Sequence, residues 1–152
     1  MSKRARKHER YEKRRRIPLP IFVAIVGANV KAYLVNMYRA WSHNPAFLTD
    51  EEINEYVRAY SIPGSLKAGF DDYRAGATID LEQDANDAGR KIEVPMLVLW
   101  GKDGGMARQH DVLSVWRQYG TNVNGEAIPD CGHFLPEEQP EIIAKKILQF
   151  VK

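Results

Sequence analysis

Two apolar runs in the second half of the chain have the pattern of buried β-strands. Val94–Trp100 is apolar without interruption and ends at Gly101, which is typical of a strand covered on both faces of a parallel sheet. Asn122–Ile128 is the second run. Residues 106–119, between the two, have helical spacing, so the order of elements predicts a right-handed crossover and a parallel pair.

An amphipathic helix is predicted after the second strand, over Glu137–Val151. Pro140 lies in its first turn, where a missing backbone N–H is tolerated. The spacing predicts four inward-facing apolar side chains, namely Ile142, Ile143, Ile147 and Phe150. The second half therefore alternates strand, helix, strand and helix.

The first half is mostly helical in pattern. Apolar residues recur at steps of three and four, which predicts helices over Lys31–Trp41, Asp50–Tyr60 and Ser65–Ala77. Residues 17–30 form an apolar run rich in β-branched residues, and its periodicity does not separate a strand from a buried irregular segment. The polar stretch Asp80–Arg90 is predicted to be a surface loop or a short helix.

Thr49 and Glu52 form the pattern of a capping box at the start of the second of these helices. The hydroxyl of Thr49 can accept a hydrogen bond from the backbone N–H of Glu52, while the Glu52 carboxylate reaches back to the Thr49 N–H. The helix is predicted to begin at Asp50 for this reason.

The net charge of +2 conceals a basic arm at residues 1–16. Nine Lys or Arg and two Glu give this arm a charge of +7, so the remaining 136 residues carry −5. We predict a solvated, disordered arm, because like charges repel and the arm has almost no apolar surface to bury. A nucleic-acid contact and a signal sequence are the alternatives; neither is favoured, and we expect no nucleic-acid partner.

The remaining chain divides into three parts: an apolar segment of uncertain structure over residues 17–31, a helical region over 32–90 and an α/β region over 91–152. Cys131 is the only cysteine, so no internal disulfide is possible and a reducing, cytoplasmic location is the expectation. We expect no membrane attachment, since the roughly ten apolar residues of the first segment are too few to span a bilayer.

His133 is the most informative candidate for catalysis. It follows the second predicted strand, in the stretch Asp130-Cys131-Gly132-His133-Phe134. Open α/β sheets bind ligands beyond the carboxyl ends of their strands, so the imidazole is predicted to face a cleft. A lone histidine is more often structural, and the surrounding motif is what favours a role as a base.

That motif resembles the end of an α/β-hydrolase, where a strand, G-H-F-x-x-E-E-x-P and an amphipathic helix follow one another. The resemblance covers roughly residues 32–152. Within the superfamily, the sequence is most similar to the haloacetate (fluoroacetate) dehalogenases. The similar stretches are W-S-H-N-P at 41–45, E-Y-V-R-A-Y at 55–60, D-Y-R-A-G-A-T-I-D at 72–80, L-W-G at 99–101 and D-V-L at 111–113. It implies the C-terminal part of an α/β-hydrolase fold, with its last two parallel strands and flanking helices, preceded by a helical remnant of the cap domain.

The resemblance also implies a mechanism. In these dehalogenases an aspartate displaces halide to give an ester, which water activated by a histidine then hydrolyses. Carried onto this chain, His133 is the water-activating base, and Tyr73 donates a hydrogen bond to the departing halide. The alternative for Tyr73 is a core residue of an amphipathic helix. No cofactor and no metal site are implied.

The sequence departs from that family at the nucleophile. It contains neither a His-Asp-Arg-Gly motif nor G-x-S-x-G. The position three residues after the glycine of the W-G turn, where many α/β-hydrolases carry the triad acid, is Gly104. Asp103 is one residue early, and a role in stabilising the turn is favoured over one as a shifted acid. Trp41 and His43 are not assigned to halide binding.

Two functions from different classes remain. One is a haloacetate dehalogenase-like hydrolase that lacks its nucleophile half and is inactive alone. The other is a truncated, non-enzymatic remnant or interaction module with a basic arm. The expected partners are a haloacid substrate after complementation, the missing N-terminal half, or a second copy of the chain. An unpaired apolar strand predicts association or partial order, unless residues 17–30 supply a substitute strand.

Overall fold

A computed structural model of the protein describes residues 17–152, and the predicted arm lies outside them. Nine α-helices and two β-strands are present in this range. In chain order they are α1 (Leu19–Gly27), α2 (Val30–Trp41), α3 (Asp50–Tyr60), α4 (Ser65–Ala75), α5 (Ile79–Asn86), β1 (Met96–Gly101), α6 (Gly105–Gln109), α7 (Val112–Trp116), β2 (Val123–Ile128), α8 (Leu135–Glu138) and α9 (Pro140–Phe150). A 3₁₀ turn, Pro45–Phe47, separates α2 from α3.

The helices of the first half follow the predicted periodicity. The capping box at the start of α3 is present in full, with the Glu52 N–H donating to Thr49 Oγ1 at 3.2 Å and the Thr49 N–H donating to Glu52 Oε2 at 2.9 Å. At α2, the side chain of Asn29 accepts from the N–H of Ala32. These local bonds fix where each helix begins, as their sequence patterns indicate.

Residues 17–30 are neither a strand nor an irregular segment, which corrects the sequence-based interpretation. Leu19–Gly27 is a helix whose first turn contains Pro20, a position where proline costs no hydrogen bond. The ring centroids of Phe22 and Phe70 are 4.8 Å apart, so α1 packs against α4. Helical packing satisfies the backbone locally and leaves β1 without the substitute neighbour that a strand here would have provided.

The predicted parallel pair is confirmed. β1 and β2 pair in parallel from Met96 opposite Val123 to Gly101 opposite Ile128, and among residues 17–152 this is the whole sheet. Gly125 is required in β2 because a Cβ there would lie 2.0 Å from the carbonyl oxygen of Val98. The backbone N–H of Lys102 donates to Ile128 in β2, and that of Met96 donates to Asn122, directly before β2. Backbone groups alternate direction along a strand, so those of Leu97 and Leu99 face the open edge.

Two predicted helices are each divided in the structure. The helix expected over residues 106–119 breaks at His110, and Asp111 then caps α7 by accepting from the N–H of Ser114. The helix expected from Glu137 is interrupted at Gln139, whose extended φ of −140° separates α8 from α9. The Asp111 side chain satisfies a backbone N–H at the start of α7, whereas the side chain of Gln139 makes no such bond at the start of α9.

The described residues bury two separate apolar clusters. The larger belongs to the helices and comprises Val26, Val30, Leu34, Tyr38, Ile53 and Leu66, with partly buried neighbours that include Phe134. The smaller comprises Ile128, Cys131 and Ile143. Ile147 and Phe150, predicted to face inward on α9, are instead exposed, because nothing among the described residues covers that end of the helix.

The lengths and apolar character of the helices bear on membrane attachment, which the sequence led us not to expect. Over residues 17–152, no single helix has both the length and the apolar character needed to cross a bilayer. Helices α1 and α2 reach those values only as a pair, across a bend of 95°.

Candidate functional site

The loop after β2 is held between two other segments of backbone. A Cβ on Gly132 would lie 2.4 Å from the backbone nitrogen of His43, and a Cβ on Gly101 would lie 1.7 Å from the Gly132 carbonyl oxygen. The His133 N–H donates to the Trp41 carbonyl oxygen at 2.9 Å. Glycine at positions 101 and 132 therefore brings the end of β1, the loop and the end of α2 into direct contact.

The carboxylate of Glu138 stabilises this contact by accepting backbone hydrogen bonds from both sides of it. Its Oε2 accepts from the N–H groups of His43 at 2.7 Å, Gly132 at 3.0 Å and Asn44 at 3.3 Å, and its Oε1 accepts from Phe134 at 3.0 Å. A carboxylate that accepts several backbone N–H groups is a strong acceptor, because each bond is charge-assisted. The second Glu of the E-E pair thus joins the loop to the residues that follow α2.

Glu137, the first member of the pair, has a different partner. The Tyr56 hydroxyl donates to Glu137 Oε1 at 3.0 Å, which links α8 to α3. Burial is the main cause that raises the pKa of Tyr56, and the nearby Glu137 carboxylate adds to it. The hydroxyl therefore keeps its proton and remains a donor to Glu137 at neutral pH.

The imidazole of His133 lies at the surface between two aromatic rings. Its centroid is 5.1 Å from that of Trp41 and 5.0 Å from that of Phe134, in edge-to-face arrangements. The residue is exposed, so water can reach the ring nitrogens. Within residues 17–152 its side chain has neither a hydrogen-bond partner nor a carboxylate neighbour, so the ring is positioned by packing and by its backbone alone.

Asp103 does not serve His133 in this structure. Its Oδ2 lies 3.7 Å from Nδ1 of His43, and Asp130 joins these two in a group whose ligand atoms lie within 4.8 Å of one another. Asp130 has a positive φ of 49°, which an aspartate in a turn tolerates. His43 and Asp130 are exposed, and exposed acidic groups often gather without an ion. Asp103 as a shifted triad acid thus finds no support in the described geometry.

Tyr73 lies on α4 at the mouth of an open cavity of about 740 Å³. It is 68% exposed, so the alternative of a core tyrosine does not describe it. The cavity is lined mainly by aromatic side chains, with prolines and aliphatic residues from the start of the described chain: Phe22, Tyr33, Trp41, Phe70 and Tyr73 together with Arg74 and residues 17–20. Tyr73 and His133 thus share a neighbour, Trp41, which lines the cavity and contacts the imidazole.

Tyr33 is a second hydroxyl on this cavity. Burial is the main cause that raises its pKa, and the nearby hydroxyls of Tyr60 and Tyr73 contribute. The group therefore keeps its proton at neutral pH and can donate a hydrogen bond.

Cys131 is fully buried directly before Gly132. Burial raises the pKa of its thiol to about 11, with smaller contributions from the carboxylates of Glu138 and Asp103. The thiolate is the nucleophilic form of cysteine, so this side chain packs as a small apolar group and is not activated.

Sequence reasoning missed two contributors to this site. Trp41 was not assigned to halide binding, and its contact with His133, 92 positions later in the chain, is one that no local pattern reports. Glu138 belongs to the E-E pair of the motif, which by itself assigns it no contact. The close spacing of Gly132 and the E-E pair was the one signal that could have indicated a clamped loop.

Comparison with known proteins identifies the fold. No protein-family model matches the sequence. The chain is 34% identical over 129 residues to the soluble epoxide hydrolase of Corynebacterium sp. (strain C12), covering 84% of this chain and 43% of that protein. It is 30% identical over 135 residues to the fluoroacetate dehalogenase of Burkholderia sp., covering 88% and 44% respectively. The chain thus spans less than half of the length of either relative.

A solved structure also matches this chain and supports the α/β-hydrolase fold. A protein from Nostoc sp. PCC 7120, assigned to the α/β-hydrolases, superposes with a TM-score of 0.80 at 42% identity, over 85% of this chain and 44% of that one. The predicted fold class is confirmed, and the partial coverage is consistent with a C-terminal portion. The chain therefore belongs to the α/β-hydrolase superfamily, where its relatives include both an epoxide hydrolase and a fluoroacetate dehalogenase.

Proposed function

We propose that this chain supplies the base and the cap side of a hydrolytic haloacid dehalogenase, and that it releases halide only together with a nucleophile-bearing part of the fold. The 152 residues hold no recognised nucleophile motif, and the chain covers 44% of the Burkholderia dehalogenase. The observation that carries the proposal is the shared neighbour Trp41, which lines the cavity below Tyr73 and packs against the His133 ring.

His133 acts as the base in the proposed reaction. Its ring is exposed, so it can take a proton from a water molecule as that water attacks an enzyme ester. The backbone on either side is fixed by Glu138 and Trp41, which limits where the ring can lie. Fixing a base near its water is one source of rate enhancement, because the orientation is settled before the reaction begins.

Tyr73 acts on the leaving group. Tyr73 lines the open cavity from α4, so its hydroxyl can donate a hydrogen bond to a halide that carries developing negative charge there. Such a hydrogen bond lowers the barrier most when water is excluded, and because Tyr73 is exposed in this chain, that exclusion would come from the nucleophile-bearing part of the fold. The neighbouring Tyr33 hydroxyl is a second donor for the same charge.

Epoxide hydrolysis is the second candidate, favoured by the Corynebacterium relative, whose identity to this chain is 34%. Opening an epoxide leaves negative charge on oxygen, and a tyrosine hydroxyl can protonate that oxygen as readily as it can stabilise a halide. The same His133 would activate water. The two candidates therefore differ in substrate and share these residues.

Complementation tests the proposal. The chain is co-expressed with the N-terminal part of the Burkholderia dehalogenase, and halide release from fluoroacetate and chloroacetate is followed with a halide electrode. We expect no release above background from the chain alone and measurable release from the co-purified pair. Diol formation from styrene oxide, measured on the same sample, tests the epoxide candidate.

Variants assign the roles. His133→Gln in the active pair is expected to lower turnover by roughly 10²–10⁴-fold, which is the usual contribution of general base catalysis. His110→Gln changes an exposed histidine that lines the open cavity beside β1 and not the Tyr73 cavity, so it should leave the turnover of the co-purified pair unchanged. A co-purified pair that releases no halide contradicts the dehalogenase proposal, and release that survives His133→Gln removes His133 as the base.

A further inference from the structure

The outer side of helix α1 is apolar. No residue of this helix has a charged or polar side chain. Phe22 and Val26 face the helical core, whereas Ile21 and Ile25, one turn apart on the other side, are 52% and 58% exposed. A surface helix usually has polar residues on its outer side, and a helix that is apolar all round is usually covered. Residues 17–152 therefore leave an apolar helix side in contact with water.

Other exposed aliphatic side chains lie among charges. On α5, Ile79 and Leu81 are 53% and 59% exposed, and Asp80 and Glu82 alternate with them. Single apolar side chains between charged ones are usual on a protein surface and need no partner. The outer side of α1 is different, because Ala24, between its two isoleucines, is exposed as well and no charge interrupts the patch.

A dense positive charge precedes this patch in the chain. The stretch K-R-R-R at 13–16 comes directly before Ile17, which is itself exposed, and residues 1–16 together carry +7. Because one residue spans at most about 3.6 Å, the backbones of the three arginines lie within about 11 Å of Ile17, roughly one Debye length at about 0.1 M salt. Helix α4, against which α1 packs, has two cations and two acids and so does not offset this charge.

We propose that α1 lies on an anionic lipid surface, with Ile21 and Ile25 among the acyl chains and the arginines of residues 14–16 at the headgroups. A helix in the plane of the interface buries its apolar side at the boundary between headgroups and acyl chains, and basic residues add attraction to anionic lipids. Such a helix lies along the bilayer. It does not need the length of a membrane span, on which the expectation of no membrane attachment rested.

Two other partners fit these features less well. Nucleic acid would attract the basic stretch through its phosphates, but it offers the isoleucines no acyl chains. A second copy of the chain would cover the isoleucines, but pairing α1 with its own copy brings two charges of +7 together. An anionic lipid surface accommodates both features at once. The inference goes beyond the dehalogenase proposal and does not depend on it, since it involves neither His133 nor Tyr73.

Flotation with lipid vesicles tests the inference, because vesicle-bound protein rises in a density gradient whereas aggregated protein sinks. The full chain is mixed with vesicles of phosphatidylcholine alone or of phosphatidylcholine with phosphatidylserine. We expect it to bind the anionic vesicles on the order of 100-fold more tightly than the neutral ones, since each basic residue near an anionic surface contributes about fivefold. Added salt should weaken this binding.

Substitution of the two isoleucines tests the apolar contact. Ile21→Gln combined with Ile25→Gln should lower binding to anionic vesicles about tenfold, because less apolar surface leaves water. Ile79→Gln combined with Leu81→Gln, at equally exposed sites on the acidic helix α5, is the matched control and should leave binding unchanged. The urea midpoint of each variant is compared with that of the parent chain.

Neutralising the basic stretch tests the charge. Arg14→Gln, Arg15→Gln and Arg16→Gln together should lower binding to anionic vesicles on the order of 100-fold. The matched control removes the same charge from three exposed positions of the strand region, namely Lys102→Gln, Arg117→Gln and Lys145→Gln. It should change binding by less than about threefold, because salt screens charges that lie farther than a Debye length from the lipid.

A fluorescent label gives a second measurement if the glutamine pair on α1 does not fold. Ile25→Cys in the Cys131→Ala chain carries a polarity-sensitive fluorophore, whose emission should shift to the blue on anionic vesicles, whereas a label at Leu81→Cys should show no shift. Equal binding to neutral and anionic vesicles overturns the inference. Unchanged flotation of the glutamine pair overturns it as well. If ultracentrifugation then shows the loss of an oligomer, the patch binds a second copy, and if it does not, the contact is with a polyanion alone.

Discussion

The helical region (residues 17–90) and the strand region (residues 91–152) differ in how completely they are packed. Six buried side chains form the helical core, and helices α1 to α4 contribute to it from several sides. The strand region buries four apolar side chains, and only three of them, Ile128, Cys131 and Ile143, form a cluster; the fourth is Val98 of β1. Ile147, Leu148 and Phe150 on the last helix stay exposed. The helical region therefore has a core of its own, whereas the strand region has apolar surface that its own residues do not cover.

The sheet has the same incompleteness. β1 is apolar throughout, yet β2 is its only partner among the described residues. A further open cavity of about 560 Å³ lies beside β1 and is lined by that strand together with apolar residues of α6 and α7. A two-stranded sheet is marginal by itself, so the strand region depends on contacts that its 62 residues do not provide. The chain also matches less than half of the length of each relative, which agrees with a sheet that is incomplete by itself.

Truncating one core side chain in each region gives the largest contrast. Leu34→Ala, at a fully buried site of the helical core, is expected to lower the free energy of unfolding by about 2–5 kcal/mol because a cavity remains. Ile143→Ala should cost about 2 kcal/mol or less, since its surroundings are already partly open and can relax. Urea denaturation followed by far-UV circular dichroism measures both.

Leu148→Ala, at an exposed site, is the control for these two and should change the free energy of unfolding by less than about 0.5 kcal/mol. A larger cost for Ile143→Ala than for Leu34→Ala would reverse the comparison between the regions.

Removing the Glu138 carboxylate tests the contact between the helical region and the strand region. Glu138→Ala leaves four backbone N–H groups without their acceptor, and we expect a loss of about 2–4 kcal/mol, since bonds to charged groups are the stronger ones and do not add fully. Glu137→Gln weakens one bond to Tyr56 and should cost about 1 kcal/mol. Both are measured by urea denaturation at pH 7.

The comparison depends on Glu138→Ala lowering the free energy of unfolding more than Glu137→Gln does. Equal costs for Glu138→Ala and Glu137→Gln would mean that the loop at Gly132 and His133 does not depend on the Glu138 carboxylate.

The open edge of β1 is expected to make the chain associate. Unpaired backbone groups on an apolar strand bind other strands, and residues 17–27 do not cover them with a strand of their own. Leu97→Pro removes an N–H that faces this edge while leaving the bonds of Met96 to β2, so it should shift sedimentation toward the monomer. Analytical ultracentrifugation at tens of micromolar measures this.

Ala127→Pro is the matched change on the outer edge of β2 and should leave the association unaltered. A compact, cooperative monomer formed by the parent chain at the same concentration would contradict the expectation.

The smallest effect concerns Cys131. Because burial raises its pKa to about 11, the thiol stays protonated in the folded protein while the unfolded chain ionises near 9.0. The folded state therefore loses stability only as pH rises from about 9 to about 11, and not below. We expect iodoacetamide to label Cys131 slowly at pH 8 and at the rate of an exposed thiol in urea.

The Cys131→Ala variant should lack this loss of stability at high pH. Fast labelling at pH 8 in the folded chain would show that the strand region opens locally far more often than the helical region unfolds.

Much of the fold follows from local patterns. The capping box of Thr49 and Glu52 fixes the start of α3, and the uninterrupted apolar run before Gly101 identifies β1. Residues 17–30 were not determined in this way, because a short apolar run satisfies a strand and a buried helix equally well. The choice depends on whether a neighbouring strand or a neighbouring helix is available, and here α4 is.

The candidate site was predicted in part. The strand, glycine and histidine pattern indicated that His133 follows β2, and the motif carried the resemblance to α/β-hydrolases. The pairing of Asp103 with His43 could not be read from it, since His43 belongs to a segment 60 positions earlier. The spatial relation of Tyr73 to Trp41 is equally non-local.

The sequence by itself determined the types of most elements from residue 31 onward, the parallel order of the two strands and the family of the fold, because each of these is encoded in short-range periodicity or in a contiguous motif. Only the tertiary structure decided which carboxylate clamps the loop, which histidine Asp103 meets, and that one arginine lies on an aromatic cavity. These are contacts between segments far apart in the chain. They depend on the packing of helices and strands in space, which no spacing of residues along the sequence records.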